Sequence, residues 1–192
     1  MNMLHEKGYW VGEKAAGQHC YDPKLSEALL RFFKERDASV VDLGCGLGDY
    51  LKHFRKNGLT CCGYDGNPKT PELTDNHAGV ADLTEPLTLE PKPTWIMSLE
   101  VGEHLPAQYE DQFIQNLHAN NTQGILLSWA VKGQGGYGHV NEQDNGYIKA
   151  KFAALGYKNN VEVENQLRAQ ASNAWWFRHT IMVFEKCDRE MS

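Results

Sequence analysis

The stretch SLEVGEHLP, residues 98–106, places Glu100, Glu103 and His104 at i, i+3 and i+4. In a helical turn those positions share one face. Two carboxylates that close repel each other unless something neutralises them, and a divalent cation does so. A mixed oxygen and nitrogen donor set suits Mg²⁺, Mn²⁺, Fe²⁺ or Zn²⁺ better than Ca²⁺. A further imidazole, His139, stands in AVKGQGGYGHVNEQ, residues 130–143, where Gln134 and Asn141 are candidates to support the ligands. The competing reading needs no metal: Glu100 touches a cofactor and His104 caps the following helix.

A second set of residues could hold a nucleotide. VVDLGCGLGDY, residues 40–50, carries Asp42, Gly44, Cys45, Gly46 and Gly48 directly after an apolar run. Glycine there permits positive φ and lets a ligand approach the backbone. About twenty residues on, GYDGNP supplies Asp65 and Gly66, and an acid at that distance can accept both ribose hydroxyls. ADL, residues 81–83, then offers Asp82 and the Leu83 amide to a purine. A lone G-x-G-x-G is a weak signal and also suits NAD enzymes, although those favour G-x-G-x-x-G.

These residues need elements to position them. DPKLSEALLRFFKER, residues 22–36, has apolar residues at 25, 28, 29, 32 and 33, the spacing of a helix, with Asp22 as N-cap and Pro23 at the first position. SVVDL, LTCCGYD, HAGVADL, TWIMSLE and GILLSWA read as five strands. Helices are expected over GDYLKHFRKNG, PAQYEDQFIQNLHANN and EQDNGYIKAKFAALG. TEPLTLEPKPT is too proline-rich for a crossover helix. The segment from Tyr157 to Lys186 reads as two strands around a long hairpin, with NAWWF at a strand entrance. Alternating strands and helices indicate a mostly parallel α/β sheet, whose ligands bind at the carboxyl ends of the strands.

In register from about residue 38 to 186, VVDLGCGLGDY, GYDGNP, ADL and SLEVGEHLP together resemble the class I S-adenosylmethionine-dependent methyltransferases. The resemblance implies a Rossmann-like seven-stranded sheet, order 3-2-1-4-5-7-6, with strand 7 antiparallel and helices on both faces. It implies S-adenosyl-L-methionine as cofactor. Asp42 and the loop from Gly44 through Cys45 and Gly46 to Gly48 would face the methionine part. Asp65, with Gly66, would hold the ribose, and Asp82 and Leu83 the adenine. E-x-x-E-H followed by a histidine after strand five resembles a metal-binding subset, which includes ubiquinone-pathway O-methyltransferases and small-RNA 2′-O-methyltransferases. By that likeness Glu100, Glu103, His104 and His139 would be the metal ligands, with the metal a second cofactor beside S-adenosylmethionine. The loop GQGGYGHVN is shorter than and different from the corresponding loops of those families, so His139 is the least secure of the four. Catalytic roles would fall to His139, His104 and Glu103, and to His19 in the N-terminal segment, which lies over the cofactor in this superfamily. Trp10, His19 and Tyr21 would there form a lid or supply a base, or else pack on the sheet edge.

With 192 residues the chain is expected to form a single domain: an N-terminal lid and helix over 1–36, then the core sheet over 38–186. A net charge of −6 disfavours a nucleic-acid partner, so a small-molecule acceptor ranks above RNA. A catalytically silent binding subunit is the reading from another class, and the intact motifs argue against it. No run approaches the ~20 apolar residues of a membrane span. The first residues lack the apolar core of a signal peptide. Five cysteines in no disulfide pattern read as thiols of a cytoplasmic protein, with Cys61 and Cys62 both buried. The glycine loop from Gly133 to Gly138 is expected to be a mobile flap or a fixed turn, Trp129 a core aromatic, and Arg168 and Arg178 solvated surface. The sequence sets no oligomeric state.

Overall fold

In the computed structural model, residues 4–11 and 19–187 are described. Helix α1 (Pro23–Lys34) begins where its cap predicts: the Asp22 side chain accepts from the Leu25 amide at 3.1 Å. The strands are β1 (Ser39–Leu43), β2 (Thr60–Asp65), β3 (Ala78–Val80), β4 (Trp95–Ser98), β5 (Gly124–Leu127) and β6 (Tyr157–Asn159). The central β1, β4 and β5 are buried on both faces, as parallel strands covered by helices require, while the outer β2 alternates. With β7 (Met182–Lys186) these strands form one sheet of order β3-β2-β1-β4-β5-β7-β6, in which β7 runs antiparallel to both neighbours. This is the expected Rossmann-like arrangement.

Successive side chains on a strand face opposite ways, so adjacent valines join different layers. Val40 packs with Leu29, Phe33 and Phe54 of α1 and α2 (Asp49–Lys56). Val41 packs with Phe113 and Leu117 of α4 (Glu110–Ala119) and Phe152 of α5 (Asn145–Ala154). Burying one such phenylalanine contributes roughly 1.5–3 kcal/mol. The short α3 (Thr70–Leu73) links β2 to β3. As expected, no helix joins β3 to β4. That loop is held instead by Asn116 of α4 and by Asn120 at its C-cap: Asn116 Oδ1 accepts from the Leu87 amide and Asn120 Oδ1 from the Leu89 amide, at 3.0 and 2.7 Å.

Three readings need correction. The β6–β7 connection is no simple hairpin but carries α6 (Val161–Arg168) and α7 (Phe177–Thr180). The alternating V-E-V-E looks like a strand, yet Asn160 caps the Val163 amide at 3.2 Å and commits the segment to a helix. NAWWF accordingly leads into α7 rather than into a strand. Cys61 is buried but Cys62 is exposed, as the two-residue repeat of β2 demands. All five cysteines are free thiols.

A line of serines ties the carboxyl ends of the central strands. Ser98 Oγ donates to the Leu43 carbonyl at 2.6 Å, and the Ser128 amide donates to the Ser98 carbonyl at 3.0 Å. Ser128 Oγ then accepts the Glu100 amide at 2.8 Å. The glycine loop after β1 and the acids after β4 are thereby held side by side.

Candidate active site

Gly44, Gly46 and Gly48 all adopt left-handed φ, at 84°, 54° and 70°. A Cβ at Gly46 would lie 2.4 Å from His19 Nδ1, so this glycine also makes room for a neighbour. Asp65, at the end of β2, accepts from the Gly46 amide through one oxygen and from the Asn67 amide through the other, both at 2.9 Å. It therefore braces the loop it was expected only to flank, and Gly66 beside it packs against the Tyr9 ring. Asp42 is 4 % exposed, and burial, then the charge of Asp65, push its carboxyl up to about 8. The Cys45 side chain packs against Gly63, and its backbone amide donates to the Tyr64 carbonyl at 3.1 Å. Asp82 lies further out, paired with Lys7 Nζ at 2.5 Å, while the Leu83 carbonyl accepts from Asn116 Nδ2.

Two adjoining cavities open at this end of the sheet. One, of about 270 Å³, is lined by Asp42, Glu100, His104, His139 and several aromatic rings. The other, of about 80 Å³, is lined by Lys7, Tyr9, Asp65, Gly66 and Leu83. His19 and Trp10 line both. Burial lowers the pKa of His19 and so favours its neutral form. Residues of the segment 4–11 thus line the site, while residues 1–3 and 12–18 of the expected lid lie outside the described residues. Trp10 meets His104 edge-on, with centroids 5.4 Å apart, and stacks on Tyr137 at 5.7 Å.

The acids after β4 converge, but not on a helix face. Glu100 is left-handed at φ 54°, and Gly102–His104 form one 3₁₀ turn. Glu103, His104 and His139 each bring a ligand atom within 4.8 Å of the others. Glu100 stands outside that group, yet it is close enough to Glu103 for its charge to raise Glu103's pKa, after the larger effect of burial. Glu103 is 0 % exposed, and among the described residues neither of its carboxylate oxygens has a hydrogen-bond partner of good geometry, although the nearby Ala130 amide works against the effect of burial on its pKa. Glu100 Oε1 is also buried without such a partner, while its Oε2 accepts from Gln134 Nε2 at 3.0 Å. Burial, then the charge of His139, pushes His104 down to about 4. Three orphaned carboxylate oxygens beside two imidazoles fit a divalent cation.

The sequence profile described as a methyltransferase domain matches residues 18–159, well over half of the sequence. The chain belongs to the methyltransferase-domain family. No curated protein matches it. Among solved structures it resembles magnesium protoporphyrin IX methyltransferase from Synechocystis with bound SAH. Identity there is 16 %, over 84 % of this chain and 82 % of that one, with a TM-score of 0.63. The methyltransferase domain of a bacterial Hen1 is similar at 17 % identity, over 85 % of this chain and 97 % of that one, with a TM-score of 0.60. The Burkholderia thailandensis 1,6-didemethyltoxoflavin-N1-methyltransferase, with its substrate and S-adenosylhomocysteine bound, reaches 16 % identity over 87 % and 80 %, with a TM-score of 0.58. At these identities the structures share the class I methyltransferase fold.

Several residues of this methyltransferase's site were missed in the sequence. Trp176 of NAWWF, read from sequence as packing at a strand entrance, lines the larger cavity with a buried Nε1 that has no partner among the described residues. Glu142 accepts from His139 Nδ1 at 2.9 Å, and an acid three residues from a candidate ligand was the available signal. Glu142 also accepts from the Gly133 and Gly135 amides, both at 2.7 Å, so the loop resembles a fastened turn rather than a free flap. Asn141 binds buried Glu110 at 3.0 Å. Trp129 is a core residue as expected. Arg178 is an exposed surface charge as expected, with its Nε donating to the Ala171 carbonyl, whereas Arg168 is partly buried, donating to the Ile181 carbonyl and pairing with Glu164. No helix among the described residues is long and apolar enough to cross a membrane.

Proposed function

We propose that the chain works as a single-domain, cytoplasmic O-methyltransferase that uses S-adenosylmethionine, acts on a small molecule and has a divalent metal held by Glu100, Glu103, His104 and His139. The observation that carries the metal is Glu103, fully buried with both oxygens lacking a partner of good geometry among the described residues, beside the free oxygen of Glu100. When bound, such an ion supplies charge that lowers the pKa of an acceptor hydroxyl.

The residues divide the remaining work. Asp65 and the smaller cavity receive the adenosyl group, and Asp42 faces the cationic methionine end. Lys7 holds Asp82 where an adenine amine would bind, so the 4–11 segment must yield to or close over the cofactor. The acceptor oxygen attacks the methyl carbon in line, and the carbon–sulfur electron pair goes to sulfur. His19, neutral and placed between the cavities, takes the hydroxyl proton. Among the described residues no lysine or arginine lines the larger cavity, which favours a small acceptor over a polyphosphate chain such as RNA.

Titration calorimetry tests the cofactor and the metal separately. S-adenosylmethionine should bind with or without chelator, Mn²⁺ should bind in about one equivalent, and methyl transfer should stop in chelator and return with Mn²⁺. Full activity in excess chelator removes the metal from the reaction and leaves the acids as cofactor contacts.

A further inference from the structure

One loop touches every residue of the proposed ligand set. Gln134 donates to Glu100, the Val140 and Asn141 amides both donate to the Glu103 carbonyl, and the Gly138 carbonyl lies 3.2 Å from His104 Nδ1. A carbonyl only accepts, so His104 carries its proton on Nδ1. The fourth contact is Glu142 to His139 Nδ1 at 2.9 Å, and there too the carboxylate requires a proton on Nδ1. Each ring is left with Nε2 as the nitrogen bearing a free lone pair. The Glu142 oxygen that takes His139 also takes the Gly135 amide, and its second oxygen takes the Gly133 amide.

We propose that Glu142 is a positioning residue: its carboxylate fixes the His139 tautomer and fastens the loop that sets Glu100, Glu103 and His104. The proposal rests on the reading of His139 as a ligand. Glu142 does not touch the acceptor or the cofactor, and it acts through the imidazole and the backbone. Carboxylate–histidine pairs of this kind orient the ring and raise its basicity as a ligand. Gly136 belongs to the same device, because a Cβ there would lie 2.3 Å from His139 Nε2 and obstruct the free nitrogen.

Nitrogen NMR of ¹⁵N-histidine in the metal-free protein reads the tautomer directly. His139 should rest as Nδ1–H. In Glu142→Ala it should shift toward Nε2–H, the Gly133 and Gly135 amides should exchange at least tenfold faster, and Mn²⁺ affinity should fall about 10–100-fold. Glu142→Gln separates the two tasks. Its amide oxygen still accepts from His139 and Gly135, so the tautomer stays, while its NH₂ opposes the Gly133 amide and only that amide exchanges faster. A purely structural role would speed exchange in both variants and leave the tautomer alone. An Nε2–H ring in the wild type, or an unchanged tautomer in Glu142→Ala, overturns the proposal. If the wild type binds no Mn²⁺, the ligand reading fails, while the tautomer and exchange still decide what Glu142 does.

Discussion

Asp65, at the end of β2, and Glu103, in the turn after β4, are both buried acids at the same end of the sheet, and their surroundings differ completely. Asp65 is 8 % exposed, and each of its oxygens accepts a backbone amide. Glu103 is 0 % exposed, and among the described residues neither oxygen accepts a hydrogen bond of good geometry. The first acid is complete within the chain, where it shapes the glycine loop before any ligand arrives. The second is incomplete, and its burial beside Glu100 raises its pKa. A folded chain tolerates such an uncompensated group where a ligand completes it. The nucleotide end is thus built from backbone geometry, and the acid–histidine end from side chains waiting for a counter-charge.

The largest effect on ligand binding should come from Glu103. Glu103→Gln removes a metal ligand and should weaken Mn²⁺ binding by more than ~100-fold, beyond the effect of changing a supporting contact. The same variant should make the metal-free protein more stable at neutral pH, by roughly 1–4 kcal/mol, because the raised pKa of Glu103 makes the wild type take up a proton on folding, a cost that a neutral amide does not carry. Urea unfolding without metal checks this, and a less stable variant would mean that Glu103 is satisfied by something inside the chain.

Asp65 should respond oppositely. Asp65→Ala should lower S-adenosylmethionine affinity at least ~10-fold, as for loss of a charge-assisted hydrogen bond. It should also lower stability by roughly 1–3 kcal/mol, since the Gly46 and Asn67 amides lose their acceptor. Calorimetry and denaturant melts read the two losses, and unchanged affinity would remove Asp65 from the ribose site.

The smallest binding effect, with a clear stability cost, is expected at Asp22. This fully buried acid resembles Asp65 in being satisfied: beyond the α1 cap it accepts from the Ser172, Asn173 and Ala174 amides and from Ser172 Oγ. Burial pulls its pKa upward, but the accepted hydrogen bonds outweigh it and leave the group below the ordinary value. Its stabilisation is therefore present above the unfolded pKa of about 3.9 and is lost as pH falls through the lower folded value. Asp22→Ala should cost roughly 2–4 kcal/mol at neutral pH and flatten that acid limb, while Mn²⁺ and cofactor affinities stay within about twofold. An equal loss for variant and wild type on acidification would show that other carboxylates control the limb.

Local pattern made much of the fold legible. The α1 cap, the buried strands, the proline-rich crossover without a helix and the glycine turn all depend on neighbours in sequence. The first helix after β6 was hidden because V-E-V-E fits a strand until Asn160 is seen to cap it. The E-x-x-E-H spacing pointed to groups that do converge, but for the wrong geometric reason. A left-handed Glu100 and a 3₁₀ turn bring the groups together, and backbone kinks leave no periodic trace.

The sequence by itself determined which chemical groups stand at the strand ends, because apolar runs fix the strands and chain order fixes the loop that leaves each one. Tertiary structure alone decided which of those groups are satisfied. Whether an oxygen meets an amide depends on how the folded chain places its segments: Asp22 joins residues 150 and more positions away, Glu142 folds its own loop back onto Gly133 and Gly135, and Glu103 finds no donor of good geometry among the described residues. Hydrogen bonds act over about 3 Å, so only the folded chain determines where each donor falls.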